Sequence, residues 1–374
     1  MEQADVIVVG GGAAGLGVAW RLAAAGRSVT LVDAGRAGRG ALWAAAGMLA
    51  PDAELSFEEV DLYRLGRESL SRWPGFARDL EAASGQAVGY RDDGTLVVAD
   101  DRDSAVALRR RFRFQQEQGA RVAWLPIDEA LDLEPLLSPR LPAAIWAPDD
   151  HQVDNRALAE ALPLAVRRAG GALLEGAVVA AVEPDASHPA VVLTDGTRLA
   201  GRVVVLAAGA WSRELGGLTP TLPVRPVKGQ AVALRPPSDL ALTRVVRGPR
   251  AYLVPKADRI VVGATTEEVG ADTTVTAGGV YRVLEGAVRV VPGVEEMELV
   301  ETWAGLRPAS RDHAPLLGAA SDPGVVVATG HYRHGVLLLP ITADEVAALV
   351  EARLDGRDET RPILAPFSPQ RFDG

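Results

Sequence analysis

Gly10, Gly12 and Gly15 stand in the spacing G-x-G-x-x-G, and a carboxylate, Asp33, follows about twenty residues on. Such a set can hold two linked phosphates and a ribose. The first glycine permits a tight turn, the second lets a pyrophosphate approach the backbone, and the third lets a helix pack closely on a strand. Unpaired N–H groups at the helix start, with the helix dipole, hold the negative charge. Asp33 is placed to accept ribose hydroxyls and would repel the 2′-phosphate of NADP, but the motif alone does not separate NAD from FAD. A second cluster, Asp149, Asp150, His151 and Asp154, offers oxygen and imidazole ligands. Asp154 is also placed to N-cap a helix starting at Asn155, and no second His or carboxylate stands at helical ligand spacing, so no metal is expected.

Composition narrows the choices further. The 374 residues carry 39 Lys and Arg against 49 Asp and Glu, a net charge of −10, which argues against a nucleic-acid partner. The basic run Arg109-Arg110-Arg111-Phe112-Arg113 is accordingly expected on a solvated helix face. With no cysteine in the chain, disulfides, thiolate catalysis, Cys-ligated zinc and a cysteine-linked cofactor are excluded. The chain enters its first strand at once and has no apolar run of membrane-spanning length, so a cytoplasmic protein without membrane attachment is expected.

The elements that must position these groups read as follows. Asp5-Val-Ile-Val-Val9 is a buried parallel strand, Ala13 to Ala25 a helix closed by Gly26, and Ser28 to Asp33 a second strand. Small residues at Ala44, Ala45, Ala46 and Gly47 let backbone approach something flat and bulky, or else begin a tightly packed helix. A helix over 56–73 is expected to stop at Trp73-Pro74-Gly75, and Tyr90 to Asp100 reads as a strand pair around Asp92-Asp93-Gly94. Helices are expected over 103–119, 155–169 and 276–290, with a last one after Gly335. Strands are expected over 173–182, as a pair near 191–199, and over 202–207, this last ending at Gly209. The stretch from Leu222 to about Glu301 is mostly β, with strands over 224–234, 251–255 and 259–263. Alternation of strand and helix at both ends of the chain predicts an α/β fold. Its Rossmann-type domain is discontinuous, with a second, mixed-sheet domain inserted. The expected division is 1–80, 150–215 and 310–365 for the dinucleotide domain, and 81–149 and 216–309 for the other.

Several segments in order along nearly the whole chain resemble the FAD-dependent oxidases of the D-amino-acid-oxidase superfamily, and among them the glycine oxidases of thiamin synthesis. They are Gly10-Gly-Gly-Ala-Ala-Gly15, Trp43-Ala-Ala-Ala-Gly-Met-Leu-Ala-Pro51, Ala207-Ala-Gly-Ala-Trp-Ser212 and Pro223-Val-Arg-Pro-Val-Lys-Gly-Gln230. Tyr252-Leu-Val-Pro255, Val262-Gly-Ala-Thr-Thr266, Glu301-Thr-Trp-Ala-Gly-Leu-Arg-Pro308 and Gly330-His-Tyr-Arg-His-Gly335 complete the set. The resemblance selects FAD, bound non-covalently, over NAD.

The resemblance implies that Ala13 and Ala14 join the three glycines at the phosphates, and that Ala46, Gly47 and Met48 lie against the flavin near N5. Val178 would lie near the adenosine by backbone contact, and Gly209 and Trp211 would also touch the cofactor. Gly330, His331, Arg333 and Gly335 would surround the pyrimidine end, where a cation or peptide dipole favours electron uptake, and His334 would also bind the cofactor. Arg307 would clamp the substrate carboxylate, with a hydrogen bond from Tyr252 and with Arg333 close by. The implied reaction takes glycine or a related small amino acid or amine to a 2-oxo acid, ammonia (or amine) and hydrogen peroxide. Hydride would leave the neutral amine form directly for flavin N5 and thence reach O2, with no protein base required. Sarcosine or D-amino-acid oxidase, or a dehydrogenase serving a quinone, is the alternative within the superfamily; an NAD-dependent dehydrogenase and a flavin-binding scaffold without turnover stand outside it. A homo-oligomer is open, tetramers being common among such relatives. Two positions depart from the pattern. Leu42 stands where a phosphate-binding Ser or Thr is usual, and Arg250 where some relatives carry His.

Overall fold

The computed structural model describes residues 4–238 and 240–372. Two eight-stranded sheets organise the chain. The first runs in the order Leu316–Ala319, Val325–Thr329, Arg198–Leu206, Ala4–Val9, Val29–Asp33, Ala172–Glu175, and only its outermost pair, Leu316–Ala319 with Val325–Thr329, is antiparallel along that path. Ala4–Val9 lies at its centre because both faces are apolar. Val6 and Val8 enter the core cluster under helices Ala13–Ala24 and Leu339–Leu354, while Ile7 and Val9 enter the cluster on the other face. The two helices touch at Gly17, where a Cβ would lie 2.6 Å from Leu339. Strands Val179–Glu183 and Ala190–Leu193 extend the long strand Arg198–Leu206 as an antiparallel meander.

The second sheet runs Glu298–Ala309, Arg225–Arg235, Ile260–Gly263, Tyr252–Pro255, Val245–Arg247, Thr95–Ala99, Ala143–Ala147, Ala123–Leu125. It is antiparallel except where Val245–Arg247 meets Thr95–Ala99. Helix Ala277–Val290, capped by the Thr276 side chain on Gly279 N at 3.1 Å, packs on one face. A two-stranded ribbon, Met48–Leu49 with His151–Gln152, connects segments that neither large sheet includes. Among the described residues no helix is long and apolar enough to cross a membrane.

Four local expectations are corrected. The helix expected to end at Pro74 instead spans Val60–Ser84 and closes on Gly85, whose φ is +67°. A proline inside a helix costs about 3 kcal/mol. Burial of Phe76 and Leu80 beyond it offsets this at roughly 1.5–3 kcal/mol each, and the buried Trp73 donates from Nε1 to Leu337 O at 2.9 Å. Tyr90 to Asp100 is no hairpin: Arg91 bridges to Gln152, and Thr95–Ala99 pairs with two distant strands. All five of its residues are buried, so both of its edges need partners that a local turn cannot supply. The strand expected over 173–182 is two, separated at Gly176 with φ +72°, whereas those near 199 and over 202–207 are the single strand Arg198–Leu206. Finally, the basic run is only partly solvated, because Arg111 turns inward to the carbonyls of Ala53 and Leu55.

Candidate active site

A cavity of about 1630 Å³, counting its open mouth, lies where the C-terminal ends of the first sheet's parallel strands face the second sheet. Its floor is the start of helix Ala13–Ala24. The Ala4–Val9 strand ends, Gly10 turns at φ +101° against Ala207, and a Cβ on Gly15 would stand 1.9 Å from Gly10 O. At Gly12 a Cβ would meet nothing within 4 Å, so this side of the turn is open for a ligand. The helix has no side-chain cap and no acid in its first turn, which leaves its N-terminal dipole for an anion. Asp33 supports the turn as well as ending the second strand: its carboxylate accepts from Gly11 N at 2.6 Å and Gly35 N at 2.7 Å. The donor set and the glycine cradle therefore fit a dinucleotide.

The cavity wall beside this floor is the small-residue segment. Ala44, Ala45, Ala46, Gly47 and Met48 line it, and Gly47 takes φ +76° pressed on Val153 O. The segment is fixed from behind. Asn155 Nδ2 donates to the carbonyls of Leu42 and Trp43 at 3.0 and 2.9 Å, and Trp303 Nε1 to that of Ala44 at 3.0 Å. Lys256 Nζ donates to Val153 O at 2.7 Å, and burial pushes its pKa down to about 7.

The second sheet supplies the opposing face. Gly229, Tyr252, Gly263, Gly305 and Arg307 line it from four neighbouring strands. Gly229 has the Arg307 guanidinium lying against it, and a Cβ there would stand 2.4 Å from Nη2. Arg307 Nη1 donates to Thr265 O at 3.1 Å and Lys228 O at 3.3 Å, which hold the head while leaving it without a carboxylate partner among the described residues. Tyr252 packs on Gly263, and burial pushes its phenol pKa up while Arg307 pulls it down. The loop before the last helix joins this face: Tyr332 N donates to Pro308 O at 2.8 Å, which brings His331, Arg333 and Gly335 to the cavity. His331 bonds Thr342 Oγ1 at 3.0 Å, and burial pushes it down to about 4, so it is neutral at neutral pH.

Of the residues singled out from sequence, Gly12, Ala13, Ala14, Ala46, Gly47, Met48, Gly209, Tyr252, Arg307, His331, Arg333 and Gly335 all line this one cavity. Gly10, Gly15 and Asp33 build the turn beneath it. Gly330, Val178, Trp211 and His334 lie outside its lining. Gly330 turns at φ +76° against Leu316 and Ser310. Val178 and Trp211 are 44% and 48% exposed, and the Val178 carbonyl accepts from Thr194 N. His334 faces Glu54, with Nδ1 3.2 Å from its carboxylate. Asp154 caps helix Asn155–Arg168 through Arg156 N and Ala157 N, and Asp150 accepts from Asp52 N and Ala53 N at 3.1 and 3.0 Å. Sequence reasoning missed Glu54 and Arg247, which pair in the cavity wall. Glu54 is three residues beyond the last recognised motif position, Pro51, and Arg247 belongs to no motif.

Comparison with known proteins agrees with this geometry. Residues 5–349 match the family model described as FAD dependent oxidoreductase. A glycine oxidase of Geobacillus kaustophilus is 39% identical over 376 residues, covering 99% of this chain and 97% of that protein. A bifunctional ThiO/ThiG protein of Trichormus variabilis is 36% identical, with 98% of this chain matching 55% of it. The crystal structure of glycine oxidase from Geobacillus kaustophilus superposes with a TM-score of 0.92 at 36% identity over the whole of both chains. The open glycine turn and the match over most of the length thus have one explanation: this chain belongs to the FAD dependent oxidoreductase family.

Proposed function

We propose that the chain is an amino acid oxidase that takes glycine, or a related small amino acid or amine, to the 2-oxo acid, ammonia (or amine) and hydrogen peroxide. In this reading it works in the cytoplasm and serves thiamin thiazole synthesis. The observation that carries it is Arg307, a guanidinium laid over Gly229 at the cavity wall, held by two carbonyls and without a carboxylate partner among the described residues. A fixed planar fork of this kind pairs with a carboxylate at two points and so sets the direction of the α-hydrogen. Tyr252, beside Arg307, adds a phenolic donor to the same carboxylate. When bound, FAD would supply a two-electron acceptor for the hydride and a route for the electrons to O2. Gly12, Ala13 and Ala14 would hold its phosphates, Asp33 its ribose, Gly209 the neighbouring stretch, and Ala46 to Met48 one edge of the ring. His331 is neutral, so Arg333 and the peptide dipoles of the same loop supply the positive potential at the pyrimidine end. We assign 1–80, 150–215 and 310–365 to the FAD-binding domain, and 81–149 and 216–309 to the substrate domain. A homo-oligomer accords with the reading.

The test is aerobic assay of the purified yellow protein with glycine, sarcosine and small D-amino acids, with peroxide detection, beside anaerobic bleaching of the flavin by each. Peroxide formed at a rate matching glycine loss supports the reading. Bleaching by glycine without peroxide would make the protein a dehydrogenase, and bleaching only by sarcosine or a D-amino acid would transfer it to those activities.

A further inference from the structure

Arg307 is held by main chain, so whatever fixes that main chain fixes its fork. Nη1 donates to Thr265 O at 3.1 Å and to Lys228 O at 3.3 Å. The two carbonyls belong to separate segments, strand Arg225–Arg235 and the loop 264–276 that leads into helix Ala277–Val290. Side chains alternate along a strand, so Gly229 meets Arg307 at the cavity while Lys228 and Gln230 point to the other face. Both are 1% exposed, and both turn towards the loop.

Gln230 ties the two ends of the loop. Its N–H donates to Thr265 Oγ1 at 2.9 Å, its Oε1 accepts from Thr276 N at 2.8 Å, and its Nε2 donates to Glu267 Oε1 at 2.8 Å. Backbone bonds between Lys228 and Glu267, at 2.9 and 3.0 Å, add a short antiparallel bridge. The middle of the loop is tied by charge. Lys228 Nζ donates to Asp272 Oδ2 at 2.7 Å and has Glu267 Oε2 at 3.9 Å, and among the described residues no other carboxylate comes within ion-pair reach of it. Asp272 Oδ1 in turn accepts from Thr274 N at 3.0 Å. Both counter-charges of a buried cation are thus carried by the loop. Lifting the loop would leave that cation buried without a partner, which costs far more than parting an exposed ion pair. The loop is kept down, and Thr265 O with it. Ala264 and Thr266, on either side of Thr265, line the cavity, so its wall and the arginine's support move together.

We propose that Lys228 is a positioning residue for the substrate carboxylate: with Asp272 it seats the loop 264–276 so that Thr265 O and Lys228 O hold the Arg307 fork in the orientation a carboxylate meets. This rests on the reading that Arg307 receives the carboxylate. The Lys228 side chain touches no reacting group and acts from behind the strand, through the loop. A guanidinium pairs at two points only when its plane is set, so a loosened loop weakens carboxylate binding before it slows the chemistry.

The test is Asp272→Asn, which removes the loop's half of the pair from a position 46% exposed, read by calorimetry of acetate binding to the flavin-loaded protein and by glycine kinetics. Kd for acetate and KM for glycine should each rise about ten-fold, while kcat at saturating glycine changes less than about three-fold. Asp272→Glu keeps the carboxylate and should stay within about three-fold of wild type. So should Glu268→Gln, which removes a charge of the same loop that faces Arg225 instead. Lys228→Met should show the same split as Asp272→Asn; if it fails to fold, Asp272→Asn decides. In an Arg307→Ala background Asp272→Asn should add nothing to the loss of acetate binding. Unchanged acetate binding in Asp272→Asn, or a full further loss in the absence of Arg307, would overturn the proposal and leave the pair a tie of the loop alone. Arg307→Ala by itself separates the two readings. If it binds acetate as well as wild type does, the carboxylate assignment of Arg307 has failed; a loss there with none in Asp272→Asn fails the positioning role alone.

Discussion

Arg307 and His331 show how the same cavity uses burial in opposite ways. The Arg307 fork is steadied by two carbonyls and opens on the cavity. Arg307→Ala should therefore lower kcat/KM for amino acids about 100-fold, the worth of roughly 3 kcal/mol in charged hydrogen bonds, with the flavin still bound. Steady-state kinetics beside the flavin spectrum checks this, and unchanged kinetics would reject the clamp. His331 has lost its charge to burial and sits at about 4, below the 6.5 of a free imidazole. Below pH 6.5 the unfolded chain takes up a proton that the folded one refuses. The folded state is thus favoured above that pH, and its advantage drains away as pH falls towards 4, by up to roughly 3 kcal/mol. Urea midpoints at pH 7.5 and 5 should differ less in His331→Asn than in wild type.

At the scale of elements, the decisive contacts are those of strands with what crosses them. Gly229 in strand Arg225–Arg235 pairs with Gly305 in strand Glu298–Ala309, two residues before Arg307. Its missing side chain is the space the guanidinium occupies. Gly229→Ala should displace Arg307 and raise KM about ten-fold or more while leaving kcat at saturating glycine far less affected, which separates it from loss of the arginine itself. Gly305 has Ala44 against it in the same way, at 2.3 Å from an added Cβ, so this pair of strands approaches both Arg307 and the small-residue wall through missing side chains. Helix Val60–Ser84 shows the converse, with tertiary burial of Trp73 and Phe76 carrying it past a proline.

Across the whole molecule the two sheets are stitched around the cavity. Arg156 pairs with Glu301 at 2.7 Å, Arg259 with Asp154 at 3.2 Å, Arg247 with Glu54, and Trp303 reaches Ala44 O. Between these stitches lies the cavity proposed to hold flavin, so flavin should count towards stability. Stripping it should lower the thermal midpoint, and adding it back at a thousand times its Kd should restore about 4 kcal/mol. Differential scanning fluorimetry of apo and reconstituted protein checks this, and identical midpoints would mean that the sheets hold together without the cofactor.

The dinucleotide turn was legible because it is local: Gly10, Gly12, Gly15 and Asp33 act within one strand–helix–strand unit, and their spacing alone carries the geometry. The α/β class and most helix positions followed from periodicity for the same reason, as Asp154 beneath helix Asn155–Arg168 illustrates. Motif resemblance supplied Arg307 and Tyr252 as candidates, but it could not say that Gly229 makes room for one and Gly263 for the other. Tertiary structure alone decided that Thr95–Ala99 lies between distant strands, that Arg111 turns inward, and that Glu54 meets Arg247 across 193 residues of chain. A buried charge is tolerated only where a partner arrives to balance it, and spacing along one chain does not record which distant residue will arrive.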